Sequence, residues 1–482
     1  MTNINWKPNR DLDIPVYRQI IDYIKDKISD GEWDVGFKLP TQRQLATLFD
    51  VNRSTIIEAL DELKGEGIIE SRGSGGTIIV NNTWSLLTST PPPNWYEYIE
   101  AGIHRPNLPT IQLINKLEYH RDIIRLGTGE LSPELFPREM FSEVLMKISK
   151  KIYSLGYEEP KGLLYLRKVL SEYLKRYGIY VSPESILIVS GSLQALQLIS
   201  LGILHPGSRV FIENLSYLKS LHVFQSAGMN LKGISMDNQG AIPNEVVSRN
   251  RNNMALLYTI PTFHNPTGIT MTKKRREEIL KRCESERVPI IEDDVYRELW
   301  LDKEPPNAIK SMDSKGIVLY MGSISKSLSA GLRIGWLVGP ESVIERLGDI
   351  KMQTDYGSSS LAQWALAHWI DSGLYDEYLH QVRKELRIRR KVALEALDKY
   401  FSDIATWQKP KGGFYIWTKL NKKVSINNLF SEALKENLLI NPGKIYGFSN
   451  NQYLRISYSY ASLSDLDKGL KRLAFLVKKA SK

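Results

Sequence analysis

Apolar residues recur along the N-terminal part of the chain at two different periods. In "PVYRQIIDYIKDKISDGEW", Val16, Ile20, Ile21, Ile24 and Ile28 fall at helical spacing, and Gly31 supplies the stop. "KLPTQRQLATLFDV" repeats the pattern over a shorter span, with Thr41 as N-cap and Leu45, Leu48 and Phe49 as its apolar stripe. A third run, "NRSTIIEALDELKGEGII", starts from Asn52 as cap, carries Ile56, Leu60 and Leu63 on one face, and ends at Gly65 and Gly67. "IIESRGSGGTIIV" then alternates around a glycine-rich tip, which predicts a hairpin. Three helices and a hairpin predict a winged helix-turn-helix over residues 10–80.

The pattern then lapses. "NNTWSLLTSTPPP", 81–93, has no period and ends in three prolines, so it reads as a linker; "NWYEYIEAG", 94–102, reads as a short helix opening the next domain. Residues 81–120 are therefore taken as linker and lead-in, and 121–482 as a large domain. In that domain short apolar runs alternate with helical stretches: "ILIVSG", "RVFIEN", "MALLYTIP", "VPIIEDDVY" and "GIVLYMGS". Such runs are buried parallel strands with crossover helices between them, an α/β architecture. The most membrane-like stretch, "SILIVSGSLQALQLISLGIL", changes period at "SGS" and is read as strand, turn and helix rather than a span.

Composition narrows the setting. At 482 residues the chain can hold one large and one small domain, and 42% apolar with 24% charged residues excludes a fibrous or disordered chain. Cys283 is the single cysteine, which excludes an internal disulfide and fits a reducing compartment. Its helical run, "RREEILKRCESER", makes it structural. "MTNINWKPNRDLDIPVY" has no apolar core of a secretory signal, so a cytoplasmic protein without membrane partners is expected.

Charge changes the picture less than its total promises. The chain carries a formal +10, yet residues 1–82 hold 10 Lys+Arg against 13 Asp+Glu, a net of −3. A case for DNA must rest on positions. Arg43, Arg53, Ser54 and Thr55 sit at the first turns of predicted helices, where a helix in the major groove meets base edges and phosphates. The wing tip, Arg72 through Gly75 to Gly76, would follow the adjacent groove. The same pattern also fits a small helical docking domain with solvated arginines.

Candidate chemistry collects at the strand ends, where open α/β sheets bind ligands. After "ILIVS", Gly191, Ser192 and Leu193 begin a helix whose N–H groups suit an anion. Asn265 lies in "TFHNPTG", Asp293 ends a strand with Tyr296 three residues on, and "GSISKSLSAGLRIGW" supplies Ser323, Ser325, Lys326 and Arg333. A lone lysine is more often a solvated surface residue, and an Asp-x-x-Tyr arises by chance. Taken together, the set meets the needs of pyridoxal 5′-phosphate, which requires a lysine amine and a carboxylate for its ring nitrogen. Asp293 would keep that nitrogen protonated, Asn265 and Tyr296 would bond the ring oxygen, and Lys326 would exchange with an incoming amine. Ser192, Ser323, Ser325 and Arg333 would hold the phosphate.

Two resemblances follow. "GFKLPTQRQLATLFDVNRSTIIEALDELKGEGIIESRGSGGTIIV" resembles the GntR-type winged helix, with Thr41 and Asn52 standing where that family has serine. From about Ile123 onward, "YEEPKGLLYLR", "VSGSLQALQL", "IENLSY", "HNPTG", "EDDVY", "GSISKSLSAGLRIGW", "KGGFYIW" and "LRISYS" resemble the fold type I aminotransferases, nearest the aromatic and aminoadipate enzymes. That resemblance implies a mostly parallel sheet with a smaller C-terminal α/β subdomain. It implies that Tyr217 stacks on the cofactor ring, Tyr157 reaches the neighbouring subunit's phosphate, and Arg455 clamps a carboxylate. The sequence departs from the family at Leu193, usually Gln, and at Ala330, usually Pro; the first weakens a polar phosphate contact and spares the backbone one. The combination resembles the MocR/GabR class of bacterial regulators. It implies a homodimer that binds operator DNA and senses an amino compound, or the cofactor itself, through transaldimination at Lys326. A working aminotransferase with an accessory DNA-binding module is the rival, since Asp293, Lys326 and Arg455 are all present.

Overall fold

The computed structural model describes residues 6–73, 76–80, 98–99, 101–104, 106–248, 254–447 and 452–481. Two compact units divide the chain, Met1–Gly102 and Ile103–Lys482.

In the first unit, helix α1 (Val16–Ser29) buries Ile20, Ile21, Ile24 and Ile28, the stripe read from its periodicity. Thr41 starts α2 (Gln42–Phe49) with a reciprocal capping box: its hydroxyl accepts from Gln44 N at 3.3 Å, and the Gln44 side-chain oxygen accepts from Thr41 N at 2.9 Å. Asn52 caps α3 (Arg53–Gly65) by accepting from Ser54 N at 3.2 Å. Leu45, Phe49, Ile56, Leu60 and Leu63 close one core with the α1 isoleucines. The hairpin pairs β1 (Ile69–Ser71) with β2 (Thr77–Ile79), Ile69 opposite Ile79. Lys38 bridges to Ile78, an edge that the periodicity of its segment does not announce. Tyr98, Ile99 and Ala101 are helical, within the stretch expected to open the next domain.

The second unit is built on seven strands: β3 (Ile186–Val189), β4 (Arg209–Glu213), β5 (Asn230–Ile234), β6 (Ala255–Thr259), β7 (Ile290–Asp293), β8 (Val318–Ser323) and β9 (Gly335–Val338). Their order is β3-β9-β8-β7-β6-β4-β5, parallel throughout except β9, which runs against both neighbours. Strands β5 and β9 are additions to the five read from the sequence. Val210 and Ile212 face one core while Phe211 faces another, and Ile291 and Ile290 divide in the same way. Burial on both faces is why these strands read as unbroken apolar runs. The helix Lys273–Glu286 covers one face and buries Cys283.

A smaller antiparallel sheet follows, in the order β10 (Ala405–Trp407), β11 (Tyr415–Leu420), β13 (Tyr453–Ser457) and β12 (Asn441–Pro442). Helix α4 (Pro109–Leu117) packs Ile111 and Ile114 into the large core, so this part of the lead-in belongs to the second unit. Among the described residues no helix is long and apolar enough to cross a membrane, and "SILIVSGSLQALQLISLGIL" is β3 and the helix α5 (Ser192–Gly202).

Candidate cofactor and effector site

The carboxyl ends of β3, β6, β7 and β8 open on a cavity of about 300 Å³. Ser192, Leu193, Tyr217, Asn265, Asp293, Tyr296, Ser325, Lys326, Arg333 and Arg455 all line it. The Lys326 amine donates to the Gly129 carbonyl at 2.8 Å. Gly129 is required there, since an added Cβ would lie 2.2 Å from the Tyr415 hydroxyl.

The Asp293 carboxylate is buried and accepts from the Tyr258 hydroxyl at 2.6 Å. Burial pushes its pKa up to about 6, with nearby Asp294 adding to the rise and Tyr258 and Lys326 opposing it. Such a group is best charged when a cation faces it. Asn265 Nδ2 donates to the Tyr296 hydroxyl at 3.3 Å, and Tyr296 lies 3.2 Å from the Tyr415 hydroxyl. The amide and the two hydroxyls thus form one linked group on the cavity wall.

On the opposite side, α5 starts at Gly191 with no side-chain cap, leaving its first N–H groups for an anion. Gly191 has φ +87°, and a Cβ there would lie 2.5 Å from Arg333 Nη2. The missing side chain lets the guanidinium settle against the helix start, where it donates to the Ser190 carbonyl at 3.0 Å. Ser325 completes this end. Ser323, expected as a phosphate partner, does not line the cavity: its hydroxyl donates to the Ile334 carbonyl at 3.0 Å and accepts from Ser325 N at 3.1 Å. It shapes the loop that carries Lys326. Tyr157 lies outside this cavity too, 83% exposed, with its ring 5.2 Å from that of Tyr356.

Arg455, on β13, is buried between the rings of Tyr415 and Tyr446 at 4.0 and 4.8 Å. It donates to Asn265 Oδ1 at 2.8 Å and to the Gly127 carbonyl at 2.6 Å. Burial opposes its charge, while Tyr415, Tyr446, Tyr296 and Glu118 together hold its pKa above the ordinary value. Tyr258, Gly129, Tyr415, Glu118 and Asn441 escaped the sequence reading. "KGGFYIW" contained Tyr415, but no local signal reveals that Tyr258 meets Asp293 across two strands.

On the first unit, Arg43, Arg53 and Ser54 are exposed at the starts of α2 and α3, and Thr55 is half-buried. Arg53 donates to the Gln42 side chain at 3.3 Å, and Arg72 pairs with Glu70 at 3.4 Å, both in water-exposed positions. Gly75 lies outside the described residues.

Residues 16–79 match the gntR family of bacterial regulatory proteins, and residues 121–473 match the aminotransferase class I and II family. The HTH-type transcriptional regulator YisV of Bacillus subtilis (strain 168) is 53% identical over 476 residues, 98% of each chain. Kynurenine aminotransferase of Pyrococcus horikoshii, solved in complex with PMP, is 31% identical; the match covers 78% of this chain and 96% of that one at a TM-score of 0.73. The α-aminoadipate aminotransferase LysN of Thermus thermophilus, complexed with N-(5′-phosphopyridoxyl)-L-leucine, is 28% identical, with coverages of 80% and 99% and a TM-score of 0.72. A winged helix of one family and a cofactor-type fold of the other thus share one chain, and the protein belongs to the MocR/GabR class of transcriptional regulators.

Proposed function

We propose that this regulator binds pyridoxal 5′-phosphate in the cavity around Lys326, senses an amino compound there, and reads operator DNA through its N-terminal unit. The observation that carries the reading is the enclosure of the Lys326 amine with Asp293, Asn265, Tyr296, Arg333 and Arg455 in one cavity. The residues fit the cofactor: a carboxylate for the ring nitrogen, two donors for the ring oxygen, and an uncapped helix start beside an arginine for the phosphate. When bound, the cofactor supplies an aldehyde carbon and an electron-accepting ring.

In this reading Lys326 Nζ would hold the cofactor's aldehyde carbon, and the Gly129 carbonyl keeps that amine in the cavity. Asp293 holds a proton on the ring nitrogen, Tyr217 stacks on the ring, and Ser192, Leu193, Ser325 and Arg333 bind the phosphate, the first two through backbone N–H groups. Arg455 receives a carboxylate. Arg43, Arg53, Ser54, Thr55, Arg72 and Gly75 meet DNA, with residues 10–80 as reader, 81–120 as linker and lead-in, and 121–482 as sensor. The chain acts in the cytoplasm as a homodimer in which Tyr157 completes the partner's phosphate site.

The test is the absorption spectrum of the purified protein during titration with amino acids and amines. A lysine-linked band that shifts and then persists is the result expected of a sensor. Decay of the band to the pyridoxamine spectrum, with release of a keto product, would establish the second reading, an aminotransferase with an accessory DNA-binding module, which the co-location of Asp293, Lys326 and Arg455 favours. Lys326→Ala should abolish the band; its retention would remove Lys326 from the role.

A further inference from the structure

The cavity holds charged groups that the cofactor does not use. With Lys326, Asp293 and Arg333 assigned, the charged side chains left on its wall are Arg455, Glu118 and Glu130. Glu130 is exposed, which leaves the half-buried Glu118 beside the cation; a simple amino acid needs only the cation.

Glu118 follows the last turn of α4, and its Oε1 accepts from the Thr128 hydroxyl at 2.9 Å. Thr128 is 3% exposed, so the carboxylate is tethered by a buried donor at the cavity wall. Among the described residues no basic side chain forms an ion pair with Glu118 or Glu130. Two further atoms of the same wall lack partners: Arg455 Nε, on a residue 6% exposed, and Asn441 Oδ1, on a residue 5% exposed. The wall therefore offers an unpartnered donor on Arg455 and a carboxylate, Glu118, held by one hydroxyl donor.

Glu118 is half-buried and Glu130 exposed, so water reaches both, but a carboxylate gains most from a cationic donor. A ligand with an apolar side chain would offer the Glu118 carboxylate no cation, and an acidic side chain would be repelled by it. We infer that the effector is an α-amino acid whose side chain ends in a cation, with its carboxylate on Arg455 and its terminal ammonium or guanidinium group on Glu118. This rests on the sensing reading above and names the ligand class for it.

The experiment uses the full-length protein loaded with pyridoxal phosphate. L-Lysine, L-ornithine, L-norleucine and L-glutamate are titrated separately, and the midpoint of the absorbance shift is recorded for each. The expected result is that lysine or ornithine acts at a concentration at least about tenfold below norleucine, with glutamate weakest. Glu118→Gln keeps an oxygen for Thr128 and removes the charge; it should narrow the gap between lysine and norleucine to less than about threefold. Glu118→Lys should turn the preference toward glutamate, a gain that an unfolded variant cannot imitate. Norleucine or glutamate acting as tightly as lysine and ornithine, or a preference that survives both variants, would overturn the ligand class while leaving the sensing reading intact. A band that responds to none of the four compounds would overturn the ligand class, and a band that also ignores the wider panel of amino acids and amines would overturn the sensing reading.

Discussion

Asp293 is held by Tyr258 at 2.6 Å and surrounded by low-dielectric protein, so its charge needs a cationic partner. Asp293→Asn keeps the shape and removes the charge. Cofactor affinity should fall more than tenfold, the equivalent of about 2 kcal/mol for a charge-assisted hydrogen bond, as read by equilibrium titration of absorbance. A second buried carboxyl, Glu213, accepts from Thr259 and from Ile260 N at 3.2 Å, while its other oxygen faces His264 Nε2 at 3.9 Å with neither atom hydrogen-bonded. Burial pushes Glu213 up to about 7 from 4.5 and His264 down to about 3 from 6.5. The raised Glu213 pKa means that the folded state keeps a proton the unfolded chain releases: its contribution is full below pH 4.5 and is lost as pH rises to about 7. The His264 contribution is full above pH 6.5 and is lost as pH falls toward about 3, so the two slopes oppose one another between pH 4.5 and 6.5. Glu213→Gln removes the first slope. Melting curves of cofactor-free protein should show the variant gaining on the wild type as pH rises from 4.5 to 7, by up to about 3 kcal/mol. A constant difference across that range would show that Glu213 is ionised in the folded protein.

At the scale of elements, the starts of α2, α3 and α5 carry the most information. Thr41→Ala breaks the capping box and should lower the stability of the first unit by about 1 kcal/mol in chemical denaturation. Arg53→Ala should weaken operator binding across sequences and reduce the slope of log K against log salt by about one, measured by fluorescence anisotropy at several salt concentrations. Unchanged binding would take Arg53 off the reading face. These starts were legible because caps and apolar stripes are local: Thr41, Asn52 and the isoleucines of α1 need only their own segment to be recognised. The start of α5 was legible as a helix N-terminus after a strand, but its arginine was not fully so. That Arg333 reaches Ser190, and that Gly191 must lack a side chain for it to do so, follows from β9 lying between β3 and β8. The same insertion explains why Ser323 turned out to brace the lysine loop, since its hydroxyl bonds Ile334 immediately before β9.

For the whole molecule, an effector can shift the regulator only as far as it binds two arrangements of the chain differently, and any coupling to DNA is reciprocal. If Tyr157 serves the partner's site, Tyr157→Ala should weaken cofactor binding, and mixed dimers of Tyr157→Ala with Lys326→Ala should regain wild-type affinity at the site that keeps its lysine. Failure of that complementation in exchanged dimers would place Tyr157 outside the phosphate site. The sequence by itself determined the two kinds of unit and most of the polar residues that line the cavity, because periodicity, caps and the residues following each strand are short-range properties. Only the tertiary structure decided which atoms meet. Lys326 and Gly129, Arg455 and Gly127, and Tyr258 and Asp293 lie far apart along the chain and are joined by strand order and by the docking of β13 beside the large sheet. Glu118 was invisible for the same reason: on a helix it reads as an ordinary solvated carboxylate, and its tie to Thr128 at the cavity wall is what gives it a partner-seeking position.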